Sequence, residues 1–283
     1  MAATGGAGAP IPMLMIGDNA PNYGPGGNIT QNGLSANQTL VEEVVGPYSL
    51  SFIKNRDGTR RMVRKITTST NSRRGQFEAT VREADVYNEL IKNPDYKDHI
   101  LPFIRSKRTN DWVYIDFEYV NGMDFERYLA TLPDEAGEER KYLLLEAIRH
   151  LQWLLTVGYS HGDVKLNNFY IDTTTRKTYI IDFGTSRKLL SMGGIYADVF
   201  KLLNMTSILF PRLTDEAEHA ILETAKAAAK STTSTAERGI QMYISIAEQL
   251  ASTKLVGGGR RRTQRHRKRR ARRTHRSIPR IIR

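Results

Sequence analysis

The sequence predicts an α+β fold, with strands concentrated in the first half of the chain and helices in the second. Three observations carry this prediction. Arg61-Met-Val-Arg-Lys65-Ile66 and Trp112-Val-Tyr-Ile-Asp-Phe117 are runs rich in β-branched and aromatic residues that read as strands, the second of them buried. Leu144, Ala147, Ile148, Leu151, Leu154 and Leu155 recur at helical spacing, as do Ile240, Tyr243, Ile244, Ala247 and Leu250. Between those helices lie two polar turns, His161-Gly-Asp163-Val-Lys165-Leu-Asn-Asn168 and Asp182-Phe-Gly184, separated by the strand-like runs Phe169-Tyr-Ile-Asp172 and Lys177-Thr-Tyr-Ile-Ile181. At 283 residues the chain is long enough to bury a sizeable core.

In chain order, residues 1–38 are rich in Gly, Ala, Asn and Pro and read as a flexible arm, with Met13-Leu-Met-Ile16 its one apolar cluster. After the first strand, Gln76 to Leu90 reads as an amphipathic helix on Phe77, Val81, Ala84 and Leu90; it carries Glu83, and Glu89 as a surface charge. Asp124 suits the N-cap of a helix opening at Phe125. Thr173-Thr-Thr-Arg176 closes a hairpin that returns Asn168 beside Asp182. Asp215-Glu-Ala-Glu218 and Ser234-Thr-Ala-Glu237 have the form of capping boxes and open two further helices.

The two polar turns hold what phosphoryl transfer from ATP requires. Asp163 can orient an attacking hydroxyl and accept its proton, and Lys165 can neutralise charge on the moving phosphoryl group. Asn168 and Asp182 offer oxygens to Mg2+, a hard cation that prefers one or two protein ligands plus substrate phosphates.

These residues and spacings resemble the catalytic loop and metal-binding motif of the protein kinase superfamily, and further segments follow in that family's order. The resemblance implies a bilobal fold, with a small β-rich N-lobe over 39–120 and a shortened helical C-lobe over 121–256, flanked by the arm and by a tail, 257–283. It implies that Lys65 and Glu83 form the ion pair that positions the ATP phosphates. It makes Phe117 the gatekeeper, gives the adenine to backbone groups of Glu118 and Val120, and sends Asp124 to the ribose. Val44-Val-Gly46-Pro-Tyr-Ser49 matches the phosphate-covering loop, with Gly46 and Ser49 at the nucleotide. Tyr196-Ala-Asp198 resembles the start of the central C-lobe helix, whose aspartate hydrogen-bonds the catalytic-loop backbone.

Three departures stand out. The 44–49 stretch keeps only the middle glycine of the family's G-x-G-x-x-G, where glycine lets amides approach phosphates closely. Gly162 replaces the arginine that usually precedes the catalytic aspartate and commonly answers a phosphorylated activation loop. Only residues 185–197 separate Gly184 from Asp198, too few for an ordinary activation segment. The shortened plan resembles minimal atypical kinases, such as the RIO family and the small kinase of the tRNA threonylcarbamoylation complex. Small-molecule phosphotransferases usually lack a lysine two residues after the aspartate, so Lys165 favours the protein-kinase side.

Composition sets the remaining bounds. No cysteine is present, which excludes disulfides and thiolate metal sites and suits a reducing compartment. No run is long and apolar enough to span a bilayer, and the N-terminus lacks a basic-then-apolar signal pattern. The expected location is intracellular, in cytoplasm or nucleus. Residues 260–283 hold twelve Arg, one Lys and no acid. With the whole chain at +12, this +13 segment leaves residues 1–259 at −1, so the basic character belongs to the tail. Such charge density predicts disorder until a polyanion arrives, with nucleic acid the expected partner through phosphate contacts. A nuclear-import signal and an acidic membrane or protein surface are the alternatives. Gly-Gly-Arg-rich ends of this kind also resemble tails on proteins of large DNA viruses, which would add the virion as a location. The expected activity is that of an ATP- and Mg2+-dependent Ser/Thr protein kinase acting on a protein substrate. The alternatives are a pseudokinase scaffold tethered to nucleic acid and an atypical ATPase of a ribonucleoprotein assembly.

Overall fold

A computed structural model of the chain describes residues 38–45, 48–55, 60–69, 75–133, 135–210, 214–230 and 232–252. Residues 1–37 of the arm and the whole basic tail lie outside the described residues, and Gln38, the expected last residue of the arm, opens the first strand. The chain divides into two compact units: the described residues up to Ala84 with Phe103–Tyr119, and Asp85–Pro102 with the described residues from Val120 onward.

The first unit is built on a five-stranded antiparallel sheet. Its strands are β1 (Gln38–Val45), β2 (Tyr48–Asn55), β3 (Arg60–Thr68), β4 (Phe103–Arg108) and β5 (Trp112–Glu118), in the order β1-β2-β3-β5-β4. Helix α1 (Gln76–Leu90) follows β3 and contributes its residues as far as Ala84 to this unit. Successive side chains of a strand point to opposite faces, so Arg64 and Lys65 of β3 serve different surroundings. Arg64 is wholly buried. It stands opposite Asp116 of β5, and Arg105 of β4 stands opposite the same aspartate on the other side. Arg64 Nε and Nη2 donate to Asp116 Oδ1 and Oδ2 at 2.7 and 2.9 Å, and Arg105 Nε donates to Oδ2 at 2.9 Å. The Arg64 guanidinium also lies 4.1 Å from the centre of the Tyr114 ring, and Tyr114 stacks on Trp112. A charge buried this deeply is tolerable only when it is paired and hydrogen-bonded, and the bidentate contact with Asp116 supplies the pairing.

The second unit is organised around helix α3 (Gly137–Thr156). Leu144, Ala147, Ile148, Leu151, Leu154 and Leu155 are all buried on it, as the spacing predicts, and so is His150. Strand β6 (Gly122–Asp124) runs into helix α2 (Phe125–Thr131) and pairs with β8 (Phe169–Asp172), which pairs in turn with β9 (Thr178–Ile180). The predicted hairpin is therefore present, with Phe169 opposite Ile180. Strand β7 (Tyr159–Ser160) pairs with β10 (Arg187–Lys188), which draws the chain after Asp182 back beside the entry to the polar turn at 161–168. Helices α4 (Met192–Leu209), α5 (Asp215–Ala229) and α6 (Thr235–Ser252) complete the unit.

Three of these helices depart in detail from the sequence expectation. Helix α4 begins at Met192, four residues before Tyr196. Helix α5 is capped by Thr214, whose Oγ1 accepts the Ala217 N–H at 3.2 Å, so Asp215 is the first helical residue and not the cap. The second capping box is as predicted: Ser234 Oγ accepts the Glu237 N–H at 3.2 Å, and Glu237 Oε2 accepts the Ser234 N–H at 3.3 Å. The buried face of α6, however, is Met242, Tyr243, Ile246 and Leu250, with Ile240, Ile244 and Ala247 only partly covered. Gly239 explains the rotation. A Cβ there would lie 2.5 Å from Leu155 Cδ1 and 2.7 Å from Ile195 Cδ1, so α6 meets α3 and α4 along its glycine side.

A polar chain crosses the interior of this unit. Thr178 Oγ1 donates to Glu146 Oε2 at 2.5 Å, which commits its single hydrogen. The 2.9 Å contact to His150 Nε2 is then an N–H donated to Thr178, leaving His150 Nδ1 to accept from His99 Nδ1 at 3.2 Å. Both rings are neutral in this arrangement. His99 stacks on Trp153 with ring centres 4.5 Å apart. Burial pushes His99 down to about 4, reinforced by Arg149 and opposed by Asp95, Asp98 and Glu146, and it pushes His150 well below the ordinary value.

Candidate active site

In the first unit Lys65 of β3 and Glu83 of α1 meet. Lys65 Nζ donates to Glu83 Oε2 at 2.6 Å, and both side chains are buried. Eighteen residues separate them; strand alternation sends Lys65 to the face opposite Arg64, and the phase of α1 turns Glu83 inward with Gln76, Thr80 and Ala84. Phe117 is buried near the end of β5, and Glu118 closes that strand with its side chain exposed. Ser49 lies within β2, opposite Val44 and Ile66, and Gly46 lies outside the described residues.

The other site residues belong to the second unit. The Val120 carbonyl accepts the Tyr170 hydroxyl at 3.2 Å. Asp124 is the N-cap of α2: its Oδ1 accepts the Arg127 N–H at 2.9 Å, satisfying a donor the helix leaves unpaired.

The polar turn at 161–168 is held from several sides. His161 is almost fully buried. Its Nδ1 accepts the Asp163 N–H at 3.2 Å, so its Nε2 carries the hydrogen and donates to the Ile181 carbonyl at 3.0 Å. Burial keeps this ring neutral by lowering its pKa, against the pull of Asp198, Asp182 and Asp163. Asp198 of α4 accepts both the His161 and the Gly162 N–H at 2.7 Å. The carboxyl of Asp198 is pushed up by burial, which outweighs His161, those two N–H bonds and Lys201. Gly162 has φ +81°, and a Cβ there would stand 2.6 Å from the Thr185 carbonyl oxygen.

Asp163 is half-buried. Lys165 Nζ donates to its Oδ2 at 2.5 Å, and Asn168 Nδ2 donates to the same oxygen at 3.1 Å and to the Asp163 carbonyl at 2.7 Å. Burial works against ionisation here, but the bonds from Lys165 and Asn168 and the charges of Lys165 and Lys201 outweigh it and hold the carboxyl below its ordinary value. Asn168 has committed its amide nitrogen, so oxygen is its remaining polar atom. The Asn168 carbonyl accepts the Ile181 N–H at 2.9 Å, which brings Asn168 next to Asp182 across the hairpin. Asp182 has φ 65° and ψ 71°, a left-handed conformation uncommon for a residue with a side chain. Such backbone is characteristic of functional turns. The donor set suits a hard cation, since the amide oxygen and the carboxylate are both oxygen ligands. Among the described residues no three His, Cys, Asp or Glu side chains cluster as a metal site. These two oxygens are thus a partial set of the sort Mg2+ completes with water and phosphate.

Residues 48–201, more than half of the chain, match the protein kinase domain. The chain belongs to the protein kinase family. The match runs from the second strand of the first unit through Lys65, Glu83, Asp163, Asn168 and Asp182 into α4. Among curated proteins the chain is 28% identical over 135 residues to the cell cycle serine/threonine-protein kinase hsk1 of Schizosaccharomyces pombe, covering 44% of this chain and 25% of that protein. It is 33% identical over 98 residues to the probable serine/threonine-protein kinase fnkB of Dictyostelium discoideum, covering 35% of this chain and 18% of that protein. The chain therefore spans a quarter or less of the length of these relatives.

Two participants escaped the sequence reading. His161 stands in the predicted motif, but its tautomer emerges only from its two partners. Lys201 is a lysine of α4, one helical turn beyond Asp198. Its Nζ donates to the Gly162 carbonyl and lies 3.9 Å from Asp163 Oδ1. The i, i+3 spacing from Asp198 is the one signal that could have found it.

Proposed function

We propose that this kinase uses ATP and Mg2+ to phosphorylate Ser or Thr hydroxyls of a protein substrate, and that it is an atypical, minimal member of its family. The observation that carries the reading is the Asp163 carboxylate, ionised and fixed by Lys165 and Asn168 through Oδ2. Oδ1 is the oxygen left to orient the acceptor hydroxyl and take its proton as the phosphoryl group moves. Lys165 stands beside it as the cation that balances charge on that group. Asn168 and Asp182 are the residues to hold Mg2+, which when bound neutralises the phosphates of the nucleotide. In the first unit Lys65, oriented by Glu83, anchors nucleotide phosphate. Ser49 and Gly46, the backbone of Glu118 and Val120, and Asp124 are assigned to the rest of the nucleotide. The Asp124 cap leaves a second carboxylate oxygen, which Arg127 approaches at 3.3 Å.

The names of both relatives support Ser/Thr specificity. The atypical form rests on Gly162 and on the six residues between the turn at Phe183–Thr185 and α4. Activity then does not await phosphorylation of a loop. The Arg-rich segment 260–283 is assigned to nucleic acid, and with it a nuclear or cytoplasmic setting. The rival pseudokinase reading has the sparse glycine of the 44–49 stretch in its favour; the Lys65–Glu83 pair and the bonded Asp163 weigh against it. The test is phosphate transfer from radiolabelled ATP, with Mg2+, to the kinase itself and to casein. Transfer by the parent chain and its loss in Asp182→Ala and Lys65→Met support the assignment. No transfer by the parent, with nucleotide still bound, would favour the scaffold.

A further inference from the structure

Helix α4 grips the catalytic turn with two side chains, not one. Asp198 and Lys201 are three residues apart and therefore share a face of the helix. Asp198 Oδ1 accepts the Gly162 N–H, and Lys201 Nζ donates to the Gly162 carbonyl, so both polar groups of one glycine are held from the same helix. That glycine can take its φ of +81° because it has no Cβ, and the space a Cβ would need is filled by the Thr185 carbonyl. The residue after it is Asp163. Lys201 Nζ stands 3.9 Å from Asp163 Oδ1, the oxygen that Lys165 and Asn168 leave alone. At that distance an ammonium attracts the carboxylate without filling the hydrogen-bonding positions of its oxygen. Both side chains remain about one-third exposed, at 37% and 32%, so the pair is not sealed from an acceptor.

We propose that Lys201 is a positioning residue for phosphoryl transfer: clamped on the Gly162 carbonyl, its ammonium fixes the direction in which Asp163 Oδ1 meets the acceptor hydroxyl. The proposal rests on the assignment of Asp163 as the proton acceptor. Catalysis loses rate steeply when a group that acts on the reacting hydroxyl is misplaced by about an ångström. Two cations on the two oxygens of one carboxylate restrict its rotation more than one does. A lysine that served only to satisfy the Gly162 carbonyl would matter for folding alone.

The two roles separate in steady-state phosphorylation of casein by full-length parent, Lys201→Met, Lys201→Arg and Asp163→Asn, each paired with thermal unfolding. The Lys201→Met side chain keeps the length of the stem and removes the charge. It is expected to lower kcat by about ten-fold or more, with KM for ATP close to that of the parent and Tm lowered by only a few degrees. Lys201→Arg, which keeps a cationic donor, is expected to recover much of that kcat. A Lys201→Met enzyme with the kcat of the parent overturns the proposal. So does a loss of activity that merely follows a collapse in Tm and that Lys201→Arg fails to rescue. Asp163→Asn distinguishes the two levels: if it stays active, the assignment of Asp163 is wrong; if it is inactive while Lys201→Met is not, only the role of Lys201 falls.

Discussion

Gly162 shows how much of the site is decided by single residues. In the sequence it reads as the loss of an arginine; in the structure it is a position with φ +81° whose missing Cβ makes room for the Thr185 carbonyl. An L-residue in left-handed backbone costs about 1–2 kcal/mol, and here a side chain would also meet backbone at 2.6 Å. Gly162→Ala is expected to lower both Tm and kcat, and Gly162→Arg to do no better, which thermal unfolding and steady-state kinetics will show. A parent-like Tm for either variant would mean the turn can relax. The pair Lys65–Glu83 gives a second prediction. Lys65→Met removes a charged donor, worth roughly 1.5–3 kcal/mol to a bound phosphate, so ATP affinity measured by calorimetry should fall by about ten-fold or more. At this scale the sequence was informative wherever chemistry and spacing coincide, as with Lys65 and Glu83 or with Asp163, Asn168 and Asp182. It was silent on Lys201, because one lysine of a helix looks like any surface charge until the phase of that helix is known. Arg64 was hidden by a similar ambiguity. Strand alternation says that it opposes Lys65 and does not say that Asp116 will bury it.

The elements bring their own tests. The buried Arg64–Asp116–Arg105 array ties β3, β5 and β4 together. Asp116→Ala would leave a fully buried guanidinium without its carboxylate, and breaking such a pair costs about 3–5 kcal/mol. Denaturant unfolding should show a loss of that order; a change near zero would mean that water reaches Arg64 in the folded sheet. In the second unit His99 and His150 are neutral inside and free to protonate once unfolded. The unfolded state then binds more protons wherever pH lies below the ordinary histidine value of 6.5 and above the folded value of about 4. Stability contributed by these rings is fully present above that window and falls as pH drops through it. Thermal unfolding at pH 7 and pH 5 should show the decline, and His150→Gln should flatten it; an unchanged slope would assign the acid sensitivity elsewhere. Periodicity located α3 and its apolar face correctly because that face is a broad run of Leu, Ile and Ala. On α6 it found Tyr243 and Leu250, which are buried, but set the face too far round towards Ile240, Ile244 and Ala247, because the close approach of Gly239 to Leu155 and Ile195 turns the helix. The cap of α5 shifted by one residue for a related reason: Thr214 and Asp215 both suit the position, and tertiary structure selected the threonine.

For the whole molecule, charge is divided unevenly: residues 1–259 sum to −1 and residues 260–283 to +13. A chain ending at Gly259 should keep ATP binding and lose affinity for duplex DNA or RNA. If about six of the tail cations meet phosphates, the affinity of the full chain should fall by roughly 10³ or more between 50 and 200 mM salt. Equal affinity with and without the tail would move the basic surface into the folded units. The α+β division, the hairpin and the order of the site residues were all legible in the sequence, because each is a local pattern. Of the hold of α4 on the 161–168 turn, the Asp198 half was legible through the family resemblance and is present in the structure; the Lys201 half was not, because it depends on where a distant helix comes to rest. The central claim is that Asp163 performs the proton and positioning work of phosphoryl transfer, and it is tested most directly by the rate of phosphate transfer from ATP to casein in the parent and in Asp163→Ala. The expected result is measurable transfer by the parent and a rate lower by about 10² or more in the variant, with ATP affinity retained. Equal rates in the two proteins would contradict it.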